Sequence, residues 1–211
     1  MVDIAIIDYG MGNLRSVHQA LRAIAPTAAI VVTDDPLEVL RAERVVFPGQ
    51  GAMPDCIREL EARGLRAAVL QAARTKPFLG ICIGLQMLFE HSEEGDVPGL
   101  AILPGKVVRF ASNMRDMQNN KLKVPHMGWN QVEHGIHPLW EGIDQNARFY
   151  FVHSYYLCPQ DAPLVQATSC YGEPFVCAIA RDNVFAVQFH PEKSQGAGLM
   201  LLKNFVNWMP V

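Results

Sequence analysis

The chain has 211 residues, 50% of them hydrophobic, and 18 Lys+Arg against 21 Asp+Glu give a formal net charge of -3. That balance provides no general field for nucleic acid or an anionic membrane, and it points to small neutral or zwitterionic substrates. No stretch is long and apolar enough to span a bilayer, and residues 1–8 carry acidic groups without the basic lead of a signal peptide, so a cytoplasmic location is expected.

A chain of this size can form one domain over 1–211 that buries roughly 70% of the surface its unfolded form exposes. Ile4 to Ile7 reads as a buried strand, followed by a helix from about Leu14 in which Leu14, Val17, Leu21 and Ile24 fall three or four apart, a stripe for packing on a sheet. Asn13 stands where the helix wants its N-cap. Further strands are expected at 30–33, 45–47 and 78–81, and beyond the last of these Leu85, Leu88 and Phe89 recur with helical spacing. Strands alternating with helices are the rhythm of a parallel sheet. From about Lys106 the rhythm changes: strands at 106–110, 149–152, 175–180 and 184–189 are joined by turns, with a helix beginning at Gly196. Residues 112–123 are polar and aperiodic and read as a mobile surface loop. The expected fold class is α/β, a single domain with an open mixed sheet, a parallel core flanked by helices and an antiparallel extension in the C-terminal half.

Cys82 lies in Gly80-Ile81-Cys82-Ile83-Gly84, where strand turns into helix. A nucleophile on such a bend adopts strained dihedrals and needs neighbours without side chains, which accounts for the glycines. The first helical turn offers unpaired N–H groups and a positive dipole end that favour thiolate over thiol, and the Ile83 N–H can face a developing oxyanion. The alternative is a small buried filler. At the far end, the strand at 184–189 is expected to run straight into His190-Pro191-Glu192. Pro191 keeps His190 extended, so His190 and Glu192 project to one side, and Glu192 can fix the imidazole tautomer with Nε2 facing the sulfur. A strand end followed by a turn is the alternative. Together the two motifs describe thiol-based acyl transfer.

The loop Phe47-Pro48-Gly49-Gln50-Gly51-Ala52 directly follows a strand, and its glycines let backbone N–H groups approach a reacting carbonyl, so it is either a second oxyanion donor beside Ile83 or only a turn. Asp8-Tyr9-Gly10-Met11-Gly12-Asn13-Leu14-Arg15 invites a dinucleotide-binding reading, but Arg15 stands where close helix packing needs a third glycine. The five cysteines, Cys56, Cys82, Cys158, Cys170 and Cys177, are odd in number and lack CxxC spacing, so neither a disulfide framework nor a zinc site is suggested, and no cofactor or metal is expected.

These segments, with Pro125-His126-Met127-Gly128-Trp129-Asn130 and Gln188-Phe189-His190-Pro191-Glu192-Lys193-Ser194, resemble the class I glutamine amidotransferases over essentially the whole chain. The Gly10 and Trp129 segments are most similar to the branch that feeds a cyclase in histidine biosynthesis. The resemblance implies hydrolysis of L-glutamine to glutamate and ammonia by Cys82, His190 and Glu192, with an oxyanion hole at Gly51 and Ile83 and substrate contacts from Gly49, Gln86, Ser154 and Tyr155. It also implies a heterodimer with a (β/α)8-barrel cyclase, touched by Asn13, Trp129 and Lys193, although Trp129 can equally be buried in the chain's own core. Another class I amidotransferase with a different ammonia acceptor and a stand-alone hydrolase of glutamyl amides are the competing readings.

Overall fold

The computed structural model describes residues 2–210. In chain order the elements are β1 (Ile4–Ile7), α1 (Leu14–Ile24), β2 (Ile30–Thr33), α2 (Pro36–Arg41), β3 (Arg44–Phe47), α3 (Met53–Ala62), α4 (Arg66–Thr75), β4 (Phe78–Ile81), α5 (Ile83–Gln86), β5 (Phe89–Ser92), β6 (Val97–Pro98), β7 (Leu103–Arg109), β8 (His126–His134), β9 (Ala147–His153), β10 (Tyr155–Pro159), β11 (Val165–Tyr171), β12 (Glu173–Arg181), β13 (Val184–Val187) and α6 (Gln195–Asn207). The short apolar runs β1, β4 and β13 are buried at every position, as strands covered on both faces must be. β1 to β4 and β13 pair in parallel in the order β2-β1-β3-β4-β13. β12 then pairs antiparallel with β13 and leads into β10, β7, β5 and β6, while β11, β8 and β9 form an antiparallel branch. This is the mixed sheet with an antiparallel extension that the strand rhythm predicts.

Tyr9, Phe47 and Phe78 continue the core from loop to strand, with ring centroids 5.5 and 5.8 Å apart. Each such side chain taken from water contributes about 1.5–3 kcal/mol. Asn13 caps α1, its side chain accepting from the Ser16 N–H. Among the described residues no helix is long and apolar enough to cross a membrane, and all five cysteines are free thiols.

Two expectations need correction. The helical spacing of Leu85, Leu88 and Phe89 does not yield a long helix: α5 is a single turn and Phe89 opens β5. The cause is competition for carbonyls, because Met87, Leu88 and Phe89 accept backbone N–H groups from the segment 100–103 instead of from their own helix. The strand expected at 184–189 stops at Val187, since its neighbour β4 ends at Ile81, where the chain bends at Cys82. The segment 112–123 is the exposed surface loop expected, outside every helix and strand, and it carries an Arg115–Lys121 bridge and the Asp116 carboxylate accepting from the Gln118 and Asn120 N–H groups at 2.9 and 2.8 Å.

Glycine is required at Gly84. A Cβ there would lie 1.8 Å from the Phe47 carbonyl oxygen, so β3 and α5 can approach only without a side chain between them. Gly84→Ala is therefore expected to destabilise the fold by at least about 3 kcal/mol, read from the urea midpoint. An unchanged midpoint would show that the β3–α5 contact is not close-packed.

Candidate active site

Cys82 has φ 56°, a left-handed conformation that a side chain adopts only under constraint from its surroundings. The constraint is visible on both sides. Its N–H donates to the Val187 carbonyl at 2.8 Å, tying the bend to the end of β13, while Gly80 lies so close to Ala186 that a Cβ would come within 2.9 Å of it. The expected strained elbow with glycine neighbours is therefore present. Its helix is one turn long, so the electrostatic help it gives the sulfur comes from the local N–H groups rather than a developed macrodipole. Ile83 opens that turn and has no carbonyl a turn behind it within the helix.

His190 follows the end of β13 in extended conformation, with φ -102° and ψ 95°. Its N–H donates to the Tyr150 carbonyl at 2.9 Å, which pins it to β9. Nδ1 lies 2.9 Å from Glu192 Oε1, both side chains being almost fully buried, and Nε2 has no hydrogen-bond partner. Burial alone would disfavour the imidazolium. The nearby Cys82 sulfur and the Glu192 carboxylate reverse that and lift His190 to about 10. The site thus sets the Cys82 sulfur beside an imidazolium held by a carboxylate.

Cys82, Ile83 and His190 line a cavity of about 310 Å³ together with Gln50, Gly51, Gln86, Glu94, Pro125 and the segment 152–155. That volume suits an amino-acid-sized ligand. Gly51, with φ 126°, belongs to the wall, as do Gln86, Ser154 and Tyr155. Gly49 does not reach the cavity. It sits behind Ile83, where a Cβ would lie 3.3 Å from the Ile83 Cβ and 1.9 Å from the Tyr9 hydroxyl. Gln86 Nε2 donates to the Tyr155 carbonyl at 3.3 Å and to Gln188 Oε1 at 2.9 Å, while its own Oε1 is buried and unpartnered.

Glu94 was not among the expected site residues. Its Oε2 accepts the Met53 N–H at 2.8 Å, and burial raises its pKa. Flanked in sequence by Glu93 and Asp96, it carries no signal that separates it from a solvated acidic turn. Gly12 of the first glycine loop packs on the oxyanion loop, a Cβ there meeting the Gly49 Cα at 3.4 Å.

Of the residues expected at an interface, Trp129 and Lys193 both meet Tyr150 of β9. Trp129 is 41% exposed, so it does not belong to the core, and Met127 on the same face of β8 is 62% exposed. Across the strand pair they face Tyr150 and Val152 of β9. The Trp129 and Tyr150 rings are 6.1 Å apart, and the Lys193 ammonium lies 5.8 Å from the Tyr150 ring centre. Asn13 is committed to capping α1.

The family pattern of class-I glutamine amidotransferases matches residues 5–208. The chain is 64% identical over 212 residues to the imidazole glycerol phosphate synthase subunit HisH of Aromatoleum aromaticum, and the alignment covers 100% of both chains. It is 64% identical over 213 residues to the protein of the same name from Nitrosospira multiformis, again over 100% of both. A solved glutamine amidotransferase superposes on 97% of the chain and 99% of its own with a TM-score of 0.73 at 16% identity, a likeness of fold. With the whole-length pattern, the full-length relatives and the sulfur–imidazole–carboxylate site in agreement, this chain belongs to the class I glutamine amidotransferases.

Proposed function

We propose that this chain is the glutaminase subunit of an imidazole glycerol phosphate synthase: it hydrolyses L-glutamine and passes the ammonia to a cyclase partner in histidine biosynthesis, in the cytoplasm. The full-length relatives carry that name. The observation that carries the chemistry is the 2.9 Å His190–Glu192 pair sharing one cavity with Cys82.

The Cys82 thiolate attacks the side-chain carboxamide carbon. Negative charge builds on the former carbonyl oxygen, where the N–H groups of Ile83 and Gly51 are the donors at hand. The His190 imidazolium gives its Nε2 proton to the leaving nitrogen, the C–N bond breaks, and ammonia departs from a glutamyl thioester. Now neutral, His190 takes a proton from water as the hydroxide adds to the thioester; the intermediate then collapses, the C–S bond breaks, and glutamate leaves, its new carboxyl losing a proton to solvent, with the thiolate restored beside the imidazolium. Glu192 holds the ring through both halves. At the other end of the substrate, the free Gln86 Oε1 can accept from the α-ammonium and the Glu94 carboxylate can face it, while Ser154 and Tyr155 close the wall. Gly49 serves by its smallness, letting Ile83 approach Tyr9.

The partner is a (β/α)8-barrel cyclase, docking on the exposed Trp129–Met127 face, with Lys193 at its edge and Asn13 at the neighbouring helix start. Trp129→Ala is expected to weaken association with the cyclase by tenfold or more, about 1.4 kcal/mol, in a titration of the two chains. Unaltered affinity would place the interface elsewhere. The glycine-flexed loop 47–52 is held out of alignment until the partner binds. Glutamate release should therefore be slow for the isolated chain and rise once cyclase and its nucleotide ligand are added. Equal rates with and without them would favour a stand-alone glutamyl amide hydrolase.

A further inference from the structure

We propose that Gln188 is a further catalytic residue of this site: its side-chain N–H is aimed at the Cys82 sulfur and stabilises the thiolate, in an orientation dictated by the backbone carbonyl of Tyr155. Gln188 is fully buried, its Nε2 lies 3.8 Å from Sγ, and its backbone is fixed by a 2.8 Å bond from its N–H to the Cys177 carbonyl.

The direction of the amide follows from its neighbours. A carbonyl oxygen can only accept, so the Gln86 atom 3.3 Å from Tyr155 O has to be Nε2. That same nitrogen lies 2.9 Å from the Gln188 amide. Two NH2 groups cannot face one another, so Gln188 presents Oε1 to Gln86 and is left with Nε2 towards the sulfur. Reversing either amide would set donor against donor or acceptor against acceptor inside a buried site, at a loss that no alternative partner offsets.

The same carbonyl is held from the other side. His153 Nδ1 lies 2.8 Å from Tyr155 O, which makes Nδ1 its protonated nitrogen and leaves Nε2 as an acceptor for His126 Nδ1 at 2.9 Å. Both imidazoles are buried, and burial lowers His153 to about 3 and His126 to about 4, so the pair is neutral at working pH and its direction is fixed. Tyr155 O thereby receives two donors, one for each lone pair, and cannot turn to release Gln86. His153 and His126 are positioning residues that act through that carbonyl.

The one-turn α5 explains why such a donor is needed. Without a developed helix dipole, the thiolate depends on discrete N–H groups and on His190, and Gln188 supplies a side-chain N–H to the sulfur.

This assignment rests on the glutaminase reading, but the test separates the two. Iodoacetamide reports on the thiolate whether or not glutamine is the substrate. In the full chain, Gln188→Met, close in shape but without a donor, should slow alkylation of Cys82 at pH 7 by about tenfold, the effect of one charge-assisted hydrogen bond. Gln188→Glu, which can still accept from Gln86, should slow it at least as much. Alkylation at the parent rate in a folded Gln188→Met would overturn the proposal, whatever the glutamate assay shows. Should that variant fail to fold, the Gln188 side-chain amide protons in the unsubstituted chain decide: they should resonate downfield of those in Cys82→Ala, and coincident signals would overturn it equally.

Discussion

Cys82→Ala should abolish glutamate release, by about ten-thousand-fold or more, while leaving the fold intact. The loss is large because the thioester route disappears with the sulfur, and no other thiol can take its place. Cys177 is fully enclosed and burial pushes its thiol far up; burial likewise lifts Cys56 to about 11, so neither supplies a thiolate near neutral pH. Cys158 and Cys170 lie on β10 and β11 and do not line the cavity. The fold should survive, because the bend is held by the Cys82 N–H to the Val187 carbonyl and by the glycines, none of which involves sulfur. The cyclase complex of this variant should still form product when ammonium salt replaces glutamine, since only the source of ammonia has been removed. Residual glutamine-dependent product within tenfold of the parent would exclude Cys82 as the nucleophile.

The parts of this site that could be read from residue order are those whose geometry is local. Gly80 to Gly84 declares an elbow because strain and crowding act within five residues, and in His190-Pro191-Glu192 the proline keeps His190 extended as expected, but Glu192 reaches the imidazole from a 3-10 turn over Pro191–Lys193 and not by strand alternation. What could not be read is decided by contacts distant in sequence. The end of α5 depends on which N–H groups reach the carbonyls of 87–89, and those come from 100–103. Trp129 offers no local clue to its exposure, which follows from lying on the outer face of β8 once His126 is drawn inward to meet His153. The strands β8, β10 and β11 are not legible in the sequence for a related reason. Their residues alternate only loosely, with polar groups such as His126 and Ser169 buried on hydrogen bonds or against neighbours. Glu94 and Gln188 enter the site through partners 41 and 106 residues away, Met53 and Cys82.

Glu192→Gln is the second decisive substitution, because it keeps the shape of the triad and removes only its charge. An amide in this place can still accept from Nδ1, but it no longer offsets a positive ring, so His190 should fall from about 10 and the imidazolium that protonates the leaving nitrogen becomes scarce. By comparison with triads in which the carboxylate is neutralised, kcat should drop by about 100- to 10,000-fold, with a smaller change in KM. The same substitution has a signature in stability. A histidine whose folded pKa stands above its unfolded value near 6.5 contributes stability that is fully present below about pH 6.5, and this is lost as pH rises through about 10. Glu192→Gln cuts that contribution. The gap in unfolding free energy between parent and variant should therefore be widest near pH 6 and should narrow towards pH 10, measured by urea unfolding across that range. A gap that stays constant with pH would mean that Glu192 acts through packing alone, and that His190 carries no extra proton at neutral pH.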